Sequence, residues 1–169
     1  MNIDVAVVGM LEENCYILKK NNHTILIDPG AEAEKIKGKI GDTPLLAVLL
    51  THRHFDHIGA LNEFNVSVYE KINLEEKSYQ IGPFTFKVIF TPGHTSDSVS
   101  YYFEQEKACF TGDFLFAGTV GRTDLPTGDM SQMKNSIEVI KKYSDDIVIY
   151  PGHGEATSLG IEKKENPYF

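Results

Sequence analysis

Five apolar runs in this chain each hand over, within a few residues, to a side chain that can bind a metal or move a proton. TILIDPG ends on Asp28, LLAVLLTHRH on His52 and His54, KVIFTPGH on His94, ACFTGD on Asp113 and DIVIYPGH on His153. Short runs rich in Val, Ile, Leu and Phe, bounded by Gly and Pro, read as buried strands. In open α/β sheets ligands gather outside the carboxyl ends of the strands. One sheet system can therefore collect all five segments, spread from residue 28 to residue 153, into a single cluster. Few other arrangements explain why five of the six histidines stand at such positions.

The remaining pattern fits an α/β chain. Strands are expected at residues 3–8, 14–19, 24–28, 45–50, 85–90, 99–103, 107–110 and 147–150. Helices are expected at residues 31–40 and 58–64. The clearest helix is 129–143, where Met130, Met133, Ile137 and Ile140 recur at helical spacing. A length of 169 residues is that of one domain, 1–169, able to bury its own core. His23, between Asn22 and Thr24, reads as solvated turn chemistry.

Taken singly, most of the strand-end residues have ordinary explanations. Asp28 in Asp-Pro-Gly is a turn former, and His94, Asp113 or His153 alone would suit a turn or a cap. The segment THRHFDH, residues 51–57, is different, because three imidazoles and a carboxylate fall within six residues. Packing asks for no such run, whereas neutral imidazole and carboxylate are the donors that suit zinc and related divalent ions. In extended chain His52 and His54 point to one side. Asp56 and His57, at a turn into a helix, aim elsewhere. One metal can take the first pair and a second metal the other.

HxHxDH, then GHT, GD and GH in this order, resembles the metallo-β-lactamase superfamily along the whole chain. NCYIL, TILIDPG, TPGHTSDSVSYYF, FTGDFLFAGTVGRTD and PGHGEATSLGIEKKENPYF resemble its short glyoxalase II-like thioester hydrolases. The resemblance implies an αββα sandwich with the site at one edge of the paired sheets. It implies two divalent metal ions, zinc first, with iron or manganese as alternatives. His52, His54 and His94 would ligate the first ion, and Asp56, His57 and His153 the second. Asp113 would bridge them, Asp56 and Asp113 serving as catalytic carboxylates as well as ligands. Asp28 resembles an outer residue that supports the HxHxDH loop. Ser96 and Asp97 precede Ser98 where the family commonly has a glycine, which implies a different site mouth. Full-length glyoxalase II adds a C-terminal helical domain. A chain that stops soon after His153 is expected to grip glutathione weakly.

The implied reaction is hydrolysis of a small thioester, S-lactoylglutathione or a related 2-hydroxyacyl thioester, by attack of a metal-held hydroxide. A thiolate leaves without a strong general acid, and once the seven ligands are committed the sequence offers no obvious spare acid. Arg122, in the glycine-rich stretch after Asp113, either clamps a substrate carboxylate or pairs with Asp124 to order its loop. Tyr16, Tyr101 and Tyr102 read as packing residues. The nearest rival is a persulfide dioxygenase with one iron on His52, His94 and Asp113; a lactonase, an RNA-processing nuclease and a metal-binding scaffold are the others. A net charge of −8 with no basic arm argues against nucleic acid and anionic membrane as partners. Cys15 and Cys109 read as small buried hydrophobes. With no basic, apolar leader at the start, they fit the cytoplasm.

Overall fold

The computed structural model describes residues 1–169. The chain opens with an antiparallel meander of β1 (Asn2–Val8), β2 (Glu13–Lys20) and β3 (His23–Ile27). After helix α1 (Ala33–Ile40) the chain returns as β4 (Leu45–Leu49), parallel to β3, and then as the short edge strand β5 (Ser67–Tyr69), parallel to β4. Between them lies the one-turn helix α2 (Phe55–Ile58). These five strands form the first sheet in sequence order.

The second sheet begins with β6 (Ser78–Ile81), β7 (Phe84–Phe90), β8 (Val99–Phe103) and β9 (Ala108–Gly112), each antiparallel to the one before. A small hairpin follows, β10 (Leu115–Phe116) with β11 (Thr119–Val120). Helix α3 (Met130–Ile140) then carries the chain over to β12 (Val148–Pro151), which lies parallel to β9. The edge strand β13 (Thr157–Ser158) and helix α4 (Leu159–Glu165) complete it.

Period-two alternation decides how the layers stack. Tyr16 and Leu18 of β2 pack with Phe84, Phe86, Tyr101, Phe103 and Phe110 in the core between the sheets. Their neighbours Cys15 and Ile17 turn the other way, onto Ile36 and Ile40 of α1. On the outer face of the second sheet Ile89, Cys109 and Ile149 meet Met133, Ile137 and Ile140 of α3 and Leu159 of α4. The order is helix, sheet, sheet, helix: the αββα sandwich that the resemblance implied. Asp129 caps α3, its carboxylate accepting from the amides of Ser131 and Gln132.

One expected element is different. Residues 58–64 form no continuous helix: α2 covers Phe55–Ile58, and a separate 3-10 turn covers Leu61–Glu63. Gly59 lies against the Gly30 carbonyl, where any Cβ would approach within 2.3 Å. The chain bends at Ala60 instead of continuing the helix. Helix α1 starts two residues later than expected, and His23 begins β3 rather than sitting in a turn.

Candidate metal centre

Strand direction builds the site. β3 and β4 run the same way. β7 and β9 are both antiparallel to β8, and β12 is parallel to β9. The carboxyl ends of β3 and β4 in one sheet, and of β7, β9 and β12 in the other, deliver Asp28, His52–His57, His94, Asp113 and His153 to one place.

There the donors form two groups that share no residue, with Asp28, His52 and His57 as a third, overlapping cluster. His52, His54, His94 and Asp113 bring ligand atoms within 4.8 Å of one another, as do Asp56, His57 and His153. In the first group His54 Nδ1 lies 3.1 Å from His52 Nε2 and 2.8 Å from His94 Nε2. In the second, His153 Nε2 is 3.2 Å from Asp56 Oδ2. Asp113 stands between them: Oδ2 is 3.5 Å from His94 Nε2, and Oδ1 is 3.3 Å from His57 Nε2. One carboxylate thus offers one oxygen to each group.

Whether these residues suit metal ions can be judged from what they leave unpaired. His57 Nε2 and Asp113 Oδ1 are buried with no hydrogen-bond partner, an arrangement costly for polar atoms unless something else satisfies them. In four of the five rings the opposite nitrogen is engaged. His57 Nδ1 lies 2.9 Å from Asp28 Oδ2, and His94 Nδ1 lies 2.8 Å from the Arg122 carbonyl. His153 Nδ1 lies 3.0 Å from the Leu11 carbonyl, and His52 Nδ1 lies 3.1 Å from the Thr51 hydroxyl. An imidazole that donates from Nδ1 keeps its Nε2 lone pair free to ligate. Four rings are therefore set with the ligating atom facing inward. The donor set fits two divalent ions, zinc, iron and manganese among them.

Electrostatics follow from this crowding. Burial, and then His57, hold His52 well below the usual imidazole range. Burial and nearby His94 lower His54. Burial pushes His57 the same way but is outweighed by the nearby Asp113 carboxylate and the hydrogen bond to Asp28, so its basicity rises. Burial opposes ionisation of Asp113, yet the adjacent His57 ring prevails and holds its carboxyl well below the ordinary value. Gly152 is needed for contact, since a Cβ there would lie 2.3 Å from Asp113 Oδ1.

A cavity of about 680 Å³ opens over the two groups. Its wall includes Leu11, Phe55 and Leu125, with Phe55 74% exposed at the mouth. Arg122 lines it too. Its Nε and terminal nitrogen donate to Asp124 at 2.7 and 2.8 Å, so the loop-ordering pair exists, on a residue that still borders the cavity. Arg53 is held likewise by Glu70. Tyr16 and Tyr101 are structural, donating their hydroxyls to the carbonyls of Pro151 and Leu50. Tyr102 packs on the α3 side.

Several contributors escaped the sequence reading. Leu11 acts through its backbone carbonyl, which carries no sequence signal. Thr51 links His52 to Asp28, its hydroxyl donating to Asp28 Oδ2 at 2.5 Å. Glu13 is fully buried beneath His57, with Oε1 3.9 Å from Nδ1. The one available hint was an acid, Glu13, directly before the NCYIL run of β2. Asn14 donates to the carbonyls of Pro151 and Gly154 and so ties β2 to the His153 loop.

The chain matches known proteins along nearly its whole length. The metallo-β-lactamase superfamily model matches residues 8–65 and 67–153. The chain belongs to that superfamily. A hydroxyacylglutathione hydrolase, GloC, of Haemophilus influenzae is 32% identical over 207 aligned positions, covering 99% of this chain and 98% of the relative. Among solved structures, the BLEG-1 B3 metallo-β-lactamase superposes with a TM-score of 0.94 at 32% identity, covering 99% of each chain. A protein solved in a di-iron-bound form gives a TM-score of 0.88 at 31% identity, covering 98% of this chain and all of that one. Within the superfamily this chain has hydrolase relatives and a metal-binding set of His and Asp residues.

Proposed function

We propose that this metallo-hydrolase cleaves a small thioester, with S-lactoylglutathione or a related 2-hydroxyacyl thioester as the first substrate to test. The observation that carries the reading is Asp113, partly buried between two histidine groups with one oxygen turned to each. His52, His54, His94 and Asp113 would hold one ion, and Asp56, His57, His153 and Asp113 the other. Two such ions supply a hydroxide nucleophile at neutral pH and polarise a carbonyl.

The chain's own residues do the rest. Asp113, a carboxylate across the physiological range, presents one oxygen to each histidine group. Asp28, Thr51 and the carbonyls of Leu11 and Arg122 fix the ring tautomers before substrate arrives. Leu11 and Phe55 give the cavity an apolar edge for the substrate. Both arginines on the wall are engaged by carboxylates. Neither arginine is thus free to meet a leaving group, and a thiolate, with a free pKa of about 8.5, needs no proton to leave. The name of the Haemophilus relative points to the same chemistry.

A lactam or lactone ring is the second reading, favoured by the name of the B3 metallo-β-lactamase neighbour. Steady-state assays on metal-loaded protein decide between them. Thioester turnover well above the metal-free control, exceeding that of a β-lactam, a lactone and a persulfide, supports the proposal. Efficient ring opening without thioester turnover, or oxygen uptake with the persulfide, refutes it.

A further inference from the structure

Helix α4 contributes no ligand, yet a buried carboxyl on it reaches toward the centre through the backbone. Glu162 is 1% exposed. Its Oε2 accepts from the Gly118 amide at 2.9 Å and from Asn166 Nδ2 at 2.8 Å, and its Oε1 accepts from the Thr157 hydroxyl at 2.7 Å. Asn166 Nδ2 also donates to the Thr119 carbonyl at 3.2 Å. Two residues of the closing segment thereby grip the turn of the β10–β11 hairpin by its main chain. Burying a carboxyl is expensive unless its oxygens are satisfied, and here three donors meet them. An apolar side chain would anchor the helix as well, but it could not fix the direction of the Gly118 amide.

What the hairpin leads into gives the grip its meaning. β11 runs directly into Gly121 and Arg122. Gly121 lies flat against the first ligand group, where a Cβ would come within 1.8 Å of the Asp113 carbonyl and 3.0 Å of His94 Nδ1. The Arg122 carbonyl is the partner of His94 Nδ1. The second ligand group is anchored elsewhere, through Asp28 and Leu11.

We propose that Glu162 is a positioning residue for His94. It holds the β10–β11 hairpin so that the Arg122 carbonyl orients the His94 ring, and it thereby sets the affinity of the ion assigned to His52, His54, His94 and Asp113. The affinity part rests on the two-ion reading above; the ring-orientation part does not.

The test uses the full chain, with Glu162→Ala, Glu162→Gln and, as an exposed control on the same helix, Glu165→Ala. Gln keeps an oxygen for Gly118 and Asn166 and turns its amide to the Thr157 hydroxyl, which can accept. It should therefore rescue. Calorimetric titration of metal-free protein with zinc is expected to show one binding step weakened ~10–100-fold in Glu162→Ala, the range for lost outer partners. The other step, and both steps in the Gln and Glu165 variants, should stay near wild type. In metal-free protein, the imidazole NMR signal of the His94 Nδ1–H should lose its protection in Glu162→Ala alone. Unchanged steps and an unchanged His94 signal beside a lowered melting temperature would make Glu162 a fold anchor only and overturn the proposal. Equal weakening of both steps would overturn it too. If wild-type protein binds no zinc, the two-ion reading has failed, and the His94 signal alone decides the positioning role.

Discussion

Asp28→Asn separates the metal centre from the fold that carries it. Asp28 is 2% exposed and accepts from the Thr51 amide at 2.7 Å, the Thr51 hydroxyl at 2.5 Å and His57 Nδ1 at 2.9 Å. Its φ of 51° is left-handed, a conformation that Asn adopts as readily as Asp. Volume and backbone therefore survive the change. If the Asn oxygen stays on the Thr51 amide, its NH2 faces His57 Nδ1, which must accept instead of donate. A neutral imidazole has one proton, so that proton moves to Nε2, the atom that faces Asp113, and a protonated nitrogen cannot ligate. If the amide flips, the buried Thr51 N–H is orphaned at about 1–3 kcal/mol. The first route weakens the ion held by His57 about 10–100-fold, which is about 1.4–2.8 kcal/mol; the second shows as a lower melting temperature.

Asp28→Ala is the contrasting case. It leaves three buried donors without partners and should cost about 3–5 kcal/mol of metal-free stability, a fall of roughly 6–20 °C at this chain length. Zinc titration and thermal melts of metal-free protein read both effects. Wild-type affinity for both ions in Asp28→Asn, with an unchanged melt, would refute the tautomer reasoning.

Asp113→Ala should lose both ions and nearly all activity by elemental analysis and assay, since each group depends on one of its oxygens; near-normal occupancy of both sites would sink its bridging role. Chelation should lower the melting temperature, because the ions tie together segments from residue 52 to residue 153. Burial pushes the Glu13 carboxyl up to about 10 from an ordinary 4.5. Between those values it is protonated when folded and ionised when unfolded, so metal-free protein loses stability as pH rises. Glu13→Gln should flatten that slope by up to about 1.4 kcal/mol per pH unit, seen in melts from pH 5 to 9. Arg122→Ala should raise KM for anionic thioesters and spare neutral ones if Arg122 reaches substrate. Equal losses would leave it only its loop-ordering pair with Asp124.

The strand-end residues could be read in advance because two local signals coincide there: an apolar run, and a polar donor where that run must stop. Their convergence follows from the shared direction of β3 with β4, and of β7, β9 and β12, which chain order and strand patterning already suggested. The outer layer was not legible in the same way. Leu11 and Arg122 act through carbonyls that every residue possesses. Asn14 meets Gly154 140 positions away, and Glu162 reaches Gly118 across 44. Such contacts exist only once the sheets have stacked. The helix expected at residues 58–64 failed for a related reason. The close approach of Gly59 to the Gly30 carbonyl is a tertiary constraint that no local signal announces. The two-residue strands of the β10–β11 hairpin are too short to leave any periodicity.

Elemental analysis of the purified protein, with oxygen uptake followed on the same sample, tests the two-ion hydrolytic centre most directly. Two divalent ions per chain and no oxygen consumption with a persulfide are expected. One iron per chain, lost when His52, His94 or Asp113 is replaced but not when Asp56 or His153 is, together with persulfide-dependent oxygen uptake, would contradict the account.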